Sequence, residues 1–340
     1  MNTGNETLFE AFLNKHDSDA WAKAITTLLP FIHEVDKTAT QIWFAFFPLA
    51  LAQALQEAED LPKLAYKLQL MGRYQLKDQI DSSHEFLYGH RYWPEVKRAV
   101  IEHATSSRPP ASLELAAHVR EVASSVARSV RVEEPLLVGI TAVAFMTLQQ
   151  VGLTAFKASP GDIKLNSKIA ARSPEQILKA RAKDDSQGLL GFLKGIRKEY
   201  TITFNESDDS AKFKLINSQH LTTAAANDKR PYHLRDSRCQ AGEGPIPVQC
   251  RSAACGTCWV GILGGAEKLS EVTSLEARRI KDFGYIDTDE PKPLIRLACM
   301  AQAFGAVSIV IPPWNGVFGK FLRDRAQFAK AGNASGVSSK

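Results

Sequence analysis

Cysteine is scarce in this chain, with five in 340 residues. That is too few for several iron–sulfur clusters. It also does not suit a disulfide-stapled secreted domain, and the opening Met1–Thr7 has neither a basic stretch nor an apolar run, so no secretory leader is expected. Other absences narrow the chemistry. No Cys-x-x-Cys-His is present for covalent haem. No G-x-G-x-x-G follows a strand-like segment, which argues against a self-contained flavin or nicotinamide reductase. The paired Glu-x-x-His motifs of a di-iron carboxylate bundle are missing. No helix-turn-helix pattern stands out, and basic residues gather outside the helical region, so nucleic acid is not expected as a partner. No internal repeat period is visible.

What is present is ordinary for a globular chain of two domains: 44% hydrophobic and 23% charged residues, with a net charge of +5. Residues 1–158 read as an all-helical domain. Asp17-Ser18-Asp19 caps a helix with Trp21, Ile25, Leu28 and Leu29 on its apolar face. Pro48 should kink the apolar helix Ile42–Leu55. Leu61-Pro62, Trp93-Pro94, Ser112 and Glu133-Glu134-Pro135 open further helices. Pro135–Phe156 carries no charge and is long enough to span a bilayer. Its Thr141, Thr147, Gln149 and Gln150 suit a buried core helix better. His33, His84, His90, His103 and His118 form no recognisable cofactor motif, so this domain is expected to serve interaction or docking.

The chemistry-bearing stretch is Cys250-Arg-Ser-Ala-Ala-Cys255-Gly-Thr-Cys258, with Cys299 further along. C-x4-C-x2-C plus a distant fourth cysteine is the ligand spacing of plant-type [2Fe-2S] clusters. Zinc sites more often use two short cysteine pairs, and here only Cys255-x-x-Cys258 is one. Small residues between the cysteines let backbone N–H groups turn toward sulfur, and Gly256 suits a sharp bend or close approach. Cys239, in a long loop, reads as an incidental free thiol rather than a spare ligand.

From about Glu199 to Trp314 the sequence resembles plant-type ferredoxins. The likeness rests on this cysteine run, on Arg296-Leu-Ala-Cys299-Met-Ala301 and on Val307-Ser-Ile-Val-Ile311. It covers about a third of the chain and nothing before residue 199. The resemblance implies a β-grasp ferredoxin-like domain over 199–315 and one [2Fe-2S] cluster ligated by Cys250, Cys255, Cys258 and Cys299. Period-two alternation in Tyr200–Phe204 and Lys212–Ile216 agrees with a hairpin. Leu221–Asn227 reads as a short helix, Trp259–Leu263 as a strand, and Leu269–Phe283 as a helix capped by Ser270. The loop Pro231–Gln249 and the gap from Cys258 to Cys299 are longer than the family's habit and read as surface insertions. Holding all four cysteines, a fragment from about Lys198 to Ile311 should fold alone.

The expected fold class is thus multidomain, α and α+β: an all-helical N-terminal domain (1–158), a basic helical connector (159–198), the ferredoxin-like domain (199–315) and a basic, partly disordered tail (316–340). The expected function is one-electron transfer by a carrier or by an electron-transfer subunit of a larger redox complex, rather than by a self-contained enzyme. A redox or iron sensor, whose cluster state controls partner binding by the helical domain, is the alternative. Donor and acceptor proteins are the expected partners. Lys164, Lys168, Arg172, Lys179, Arg181 and Lys183, with Lys320, Arg323 and Arg325, would favour docking to an acidic partner or an anionic membrane surface. Localisation is expected to be cytoplasmic, peripheral to a membrane complex where docking requires it.

Overall fold

The computed structural model describes residues 6–106, 114–182, 198–283 and 292–317. Contacts divide the chain into two compact units. One comprises Met1–Gln53, Gln75–Arg181 and Asn205–Ser210; the other comprises Ala54–Tyr74, Ala182–Phe204 and Ala211–Lys340. The division does not follow a single boundary at 158. The connector as far as Arg181 groups with the helices, and residues 54–74 group with the C-terminal sheet.

In chain order the first half forms α1 (Leu8–Leu13), α2 (Ser18–Leu28), α3 (Glu34–Phe46), α4 (Leu49–Gln56), α5 (Leu61–Lys67) and the short strand β1 (Met71–Gly72). Then follow α6 (Trp93–Thr105), α7 (Leu115–Val130), α8 (Pro135–Ala158), α9 (Ser167–Ala170) and α10 (Pro174–Ala182). Local signals set these limits. Thr7 and Glu10 make a reciprocal capping box on α1, and Asp17 accepts the Ala20 N–H at the start of α2. Prolines open α5, α6 and α8. Pro48 separates α3 from α4 outright rather than kinking one helix, because Phe47 leaves helical geometry just before it. Ser112 and the second connector helix, Ser186–Arg197, lie outside the described residues.

The helical unit is built around α8, which packs against α1, α2, α3, α6 and α7. By length and composition, Glu34–Gln56 and Pro135–Ala158 could each cross a membrane. α8 is nevertheless buried along most of its length, and its amides find partners inside the unit. Trp21 Nε1 donates to Gln149 Oε1 at 2.5 Å, Gln149 Nε2 to the His16 carbonyl at 2.9 Å, and Gln150 Nε2 to the Phe47 carbonyl at 2.8 Å. α8 breaks at Gly152, where the freed Leu153 N–H is taken by the Glu10 carboxylate at 2.8 Å.

A histidine pair lies in the same unit. His84 Nδ1 and His90 Nδ1 are 2.9 Å apart, both rings are buried, and His84 lies tilted against Trp93 with ring centres 3.9 Å apart. Burial pushes the His90 pKa down to about 4, and burial together with the His90 charge pushes His84 well below its usual value. The folded state thus refuses protons that the unfolded chain accepts below about pH 6.5. The pair's contribution to stability should therefore be full above that pH and fall as pH drops from about 6.5 to about 4, while Asp36 in the same unit, raised to about 6 chiefly by burial, contributes in the opposite sense over part of that range. The expected loss is on the order of 3 kcal/mol from His90 alone. Urea midpoints of wild type and His90→Gln across this range separate the pair's share from that of Asp36; a difference between the two that does not change with pH would contradict it.

The C-terminal unit forms β2 (Glu199–Thr203), β3 (Lys212–Ile216), β4 (Gln219–His220), α11 (Leu221–Ala225), β5 (Trp259–Gly264), α12 (Ser274–Phe283), β6 (Ile295–Leu297), β7 (Gln302–Ala303), β8 (Val307–Val310) and β9 (Trp314–Asn315). Five strands make one mixed sheet in the order β3-β2-β8-β5-β6, with β2 and β8 parallel and the other pairs antiparallel. β4 pairs with β7, and β1 pairs with β9. The hairpin β2–β3 follows the period-two pattern, with Tyr200, Ile202, Phe213 and Leu215 buried. α12 begins later than the sequence suggests. Thr273 Oγ1, not Ser270, accepts the Glu276 N–H at 3.2 Å. Ser270 instead accepts Gln302 N–H and Arg296 donors.

Candidate metal centre

Two structural elements deliver the cysteines. Antiparallel β5 and β6 pair Trp259 with Leu297, so the residues just outside the ladder, Cys258 and Ala298, are also joined, by Ala298 N–H to the Cys258 carbonyl at 2.9 Å. Cys299 follows in a tight turn closed by Met300 and Ala301 N–H groups on the Leu297 carbonyl. Cys250 and Cys255 lie on the loop running into β5. That loop places Arg251 (φ 53°), Ala253 (φ 59°) and Gly256 (φ 69°) in the left-handed region. Such turns point successive N–H groups to one side. A Cβ at position 256 would stand 3.0 Å from the Phe283 ring at the end of α12, so the close approach needs glycine there.

The result is a ring of sulfur with donors aimed at it. Ser252 N–H and Ala254 N–H donate to Cys250 Sγ at 3.4 and 3.3 Å, and Thr257 Oγ1 lies 3.1 Å from Cys255 Sγ. Cys255 neighbours Cys250, Cys258 neighbours Cys299, and the Ala253 N–H faces Cys299. Burial raises the Cys250 thiol, but these donors outweigh it and bring its pKa down to about 6. Proton sharing with the neighbouring Cys299 holds Cys258 well above the ordinary thiol range, reinforced by burial, and the same neighbour lowers Cys299. The ring is graded in depth. Cys258 and Cys299 are buried, Cys250 and Cys255 half-buried, and Ser252 and Ala254 beside them exposed.

Cys239 does not join the ring's hydrogen bonds. Its sulfur donates to the Pro245 carbonyl at 3.5 Å, and burial, with the Asp236 charge, pushes its pKa up to about 11. The loop Pro231–Gln249 is more than a surface insertion, since Gly244–Val248 are buried. Gly244 is set so close to α11 that a Cβ would lie 2.0 Å from the Ala225 carbonyl oxygen.

Several contributors to the site are not apparent from the spacing of the cysteines. Glu243 pairs with Arg251 beside Cys250. Glu276 on α12 holds Arg296 by a two-pronged pair, at 2.9 Å on each prong, and accepts Leu297 N–H at 2.9 Å. Arg296 Nη1 also donates to the Ser270 carbonyl at 2.7 Å. Arg296 stands in the Arg-Leu-Ala-Cys run, but its partner lies twenty residues earlier and is revealed only by the helix register.

Four convergent thiols, two of them with lowered pKa values and several met by backbone N–H groups, suit a thiolate-ligated iron–sulfur group. The comparison with known families agrees: residues 221–303 match the family described as the 2Fe-2S iron-sulfur cluster binding domain. The C-terminal third therefore carries a [2Fe-2S] cluster-binding domain. No solved structure matches the chain.

Proposed function

We propose that the chain transfers single electrons through one [2Fe-2S] cluster ligated by Cys250, Cys255, Cys258 and Cys299, on a β-grasp scaffold, as a carrier or as a subunit of a larger redox assembly. The observation that carries this reading is the convergence of the four sulfurs with N–H donors from Ser252, Ala253 and Ala254. When bound, the cluster supplies one-electron redox chemistry, with plant-type potentials near roughly −400 mV. The protein's part is to hold four thiolates, to spread their charge through N–H donors and to set access. Half-buried Cys250 and Cys255, flanked by exposed Ser252 and Ala254, make this the edge at which a donor or acceptor protein comes nearest. A reducing, cytoplasmic setting belongs to this reading, since the four thiols must stay reduced to take up the cluster.

The basic connector contributes less to docking than its sequence suggests. Arg181 is buried, forked on Glu206 at 2.8 Å and bonded to the Val35 carbonyl, while Arg172 pairs with Asp209 at 2.6 Å. Lys164, Lys168 and Lys179 remain exposed. Lys183, Lys320, Arg323 and Arg325 lie outside the described residues.

Anaerobically purified protein is expected to contain two irons and two labile sulfides per chain. Serine at Cys250, Cys255, Cys258 or Cys299 should abolish or destabilise the visible spectrum, and Cys239→Ser should leave it unchanged. Stoichiometric zinc in place of iron after anaerobic handling would refute the reading.

A further inference from the structure

The helical unit holds a second group of metal-ligand side chains, none of them a cysteine. His103 sits in the last turn of α6, His118 in the first turns of α7, and Glu121 one turn further on. His103 Nε2 and His118 Nδ1 are 3.1 Å apart, and the Glu121 carboxylate is 3.9 Å from the same His118 nitrogen. The three ligand atoms all lie within 4.8 Å of one another. Around a tetrahedral zinc ion, with metal–ligand bonds of about 2.0–2.2 Å, donors stand roughly 3.4 Å apart. Small side-chain rotations would close these three on a common centre.

The imidazoles are already held in place. His103 meets Phe9 edge-on at 4.6 Å and lies nearly parallel to Phe145 at 5.8 Å. His118 packs edge-on against Phe9 and Phe12, at 5.4 and 4.9 Å, and is itself buried. Glu121 is 63% exposed, which leaves the third donor at the solvent edge and gives an ion a way in. The hydrogen bond between the histidines and the i, i+3 approach of Glu121 to His118 engage these groups two at a time, whereas a divalent cation satisfies all three at once. Two nitrogens and one carboxylate favour zinc or a similar borderline cation over magnesium or calcium, which prefer all-oxygen sites.

We propose that His103, His118 and Glu121 form a divalent transition-metal site of the zinc type, with three protein ligands and a fourth position open to water or to a partner's side chain. The site is independent of the cluster and stands whether or not the electron-transfer reading does.

The test uses full-length protein with its cluster intact. The protein is incubated with Zn2+, freed of excess by gel filtration, and assayed for zinc, iron and the visible spectrum. One zinc per chain is expected, with iron and spectrum unchanged. Glu121→Gln keeps the fold, since the side chain is exposed, and should weaken zinc binding at least about 10-fold. His103→Gln and His118→Gln should weaken it by more than the roughly 10–100-fold caused by losing an outer hydrogen-bond partner of a ligand. Failure of wild-type protein to retain zinc would overturn the proposal. So would zinc retained equally by all three variants, or zinc that enters only as the spectrum bleaches, which would place it on the cysteines.

Discussion

Glu276→Ala is expected to destabilise the C-terminal unit by about 3–5 kcal/mol and to release the cluster well before the wild type does in urea. Glu276 and Arg296 are essentially inaccessible, at 0% and 3% of their side-chain surface. Removing one partner strands a guanidinium in the interior, and the desolvation of an unpaired buried charge far exceeds the worth of a surface ion pair. The damage is directed at the site, because Arg296 belongs to β6 and the Leu297 N–H bonded to Glu276 Oε1 lies two residues before Cys299. Glu276→Gln keeps the shape and one acceptor, and should cost less than the alanine. Replacing both partners with apolar residues of similar volume, as in Glu276→Leu with Arg296→Met, should restore much of the loss, since well-packed apolar pairs substitute for buried ion pairs. Urea titrations followed by backbone circular dichroism and by the visible spectrum give both numbers. A single-alanine cost near that of an exposed pair would show that water reaches Arg296 and that the clamp does not hold the Cys299 turn.

The cysteine spacing, the β2–β3 hairpin and the proline-opened helices were legible in the sequence because each is a local code, readable within a few residues. Cys250, Cys255 and Cys258 share one loop, and Cys299 sits in a run that resembles its family. What the sequence hid is nonlocal. Nothing near Glu276 says that it faces Arg296 rather than solvent, since α12 is otherwise rich in exposed charge. Arg181 reads as one more cation in a basic stretch until Glu206 and the Val35 carbonyl are seen around it. His103 and His118 lie on separate helices, and no short motif joins them to Glu121. The loop before Cys250 looks like tolerated excess length. Its burial depends on Gly244 approaching the Ala225 carbonyl, a contact between segments with no shared pattern. Residues 54–74 are hidden for the same reason: a two-residue strand has no periodicity to read.

That last segment decides where the redox unit ends. A fragment from about Lys198 to Ile311 contains all four cysteines, yet it is expected to fail to hold a stable cluster. β1 pairs with β9 through Met71–Asn315 and Gly72–Trp314, and Arg73 N–H donates to the Pro313 carbonyl at 3.0 Å. Val317 N–H reaches back to the Leu68 carbonyl at 2.9 Å, and Arg238, forked on Asp236, donates to the Pro312 carbonyl at 2.7 Å. Trp314 is fully buried and packs edge-on against Trp259, which follows Cys258 directly, at 6.2 Å between ring centres. Leu68 and Leu70 are buried in the same unit. Cutting at 311 removes Trp314, and starting at 198 removes both leucines. Each buried apolar side chain contributes about 1.5–3 kcal/mol, so the combined loss rivals the whole 5–15 kcal/mol margin of an ordinary domain. Trp314→Ala in the full chain should by itself cost about 3–5 kcal/mol. Extending the fragment to Val317 and joining residues 54–74 through a flexible linker should restore reconstitution with iron and sulfide. Extension to Val317 alone should restore less, because β9 would still lack its partner strand. Comparing the cluster yield and thermal midpoint of the three fragments separates these outcomes. A 198–311 fragment that matches the full chain in both would show that the β1–β9 pairing merely decorates the redox unit.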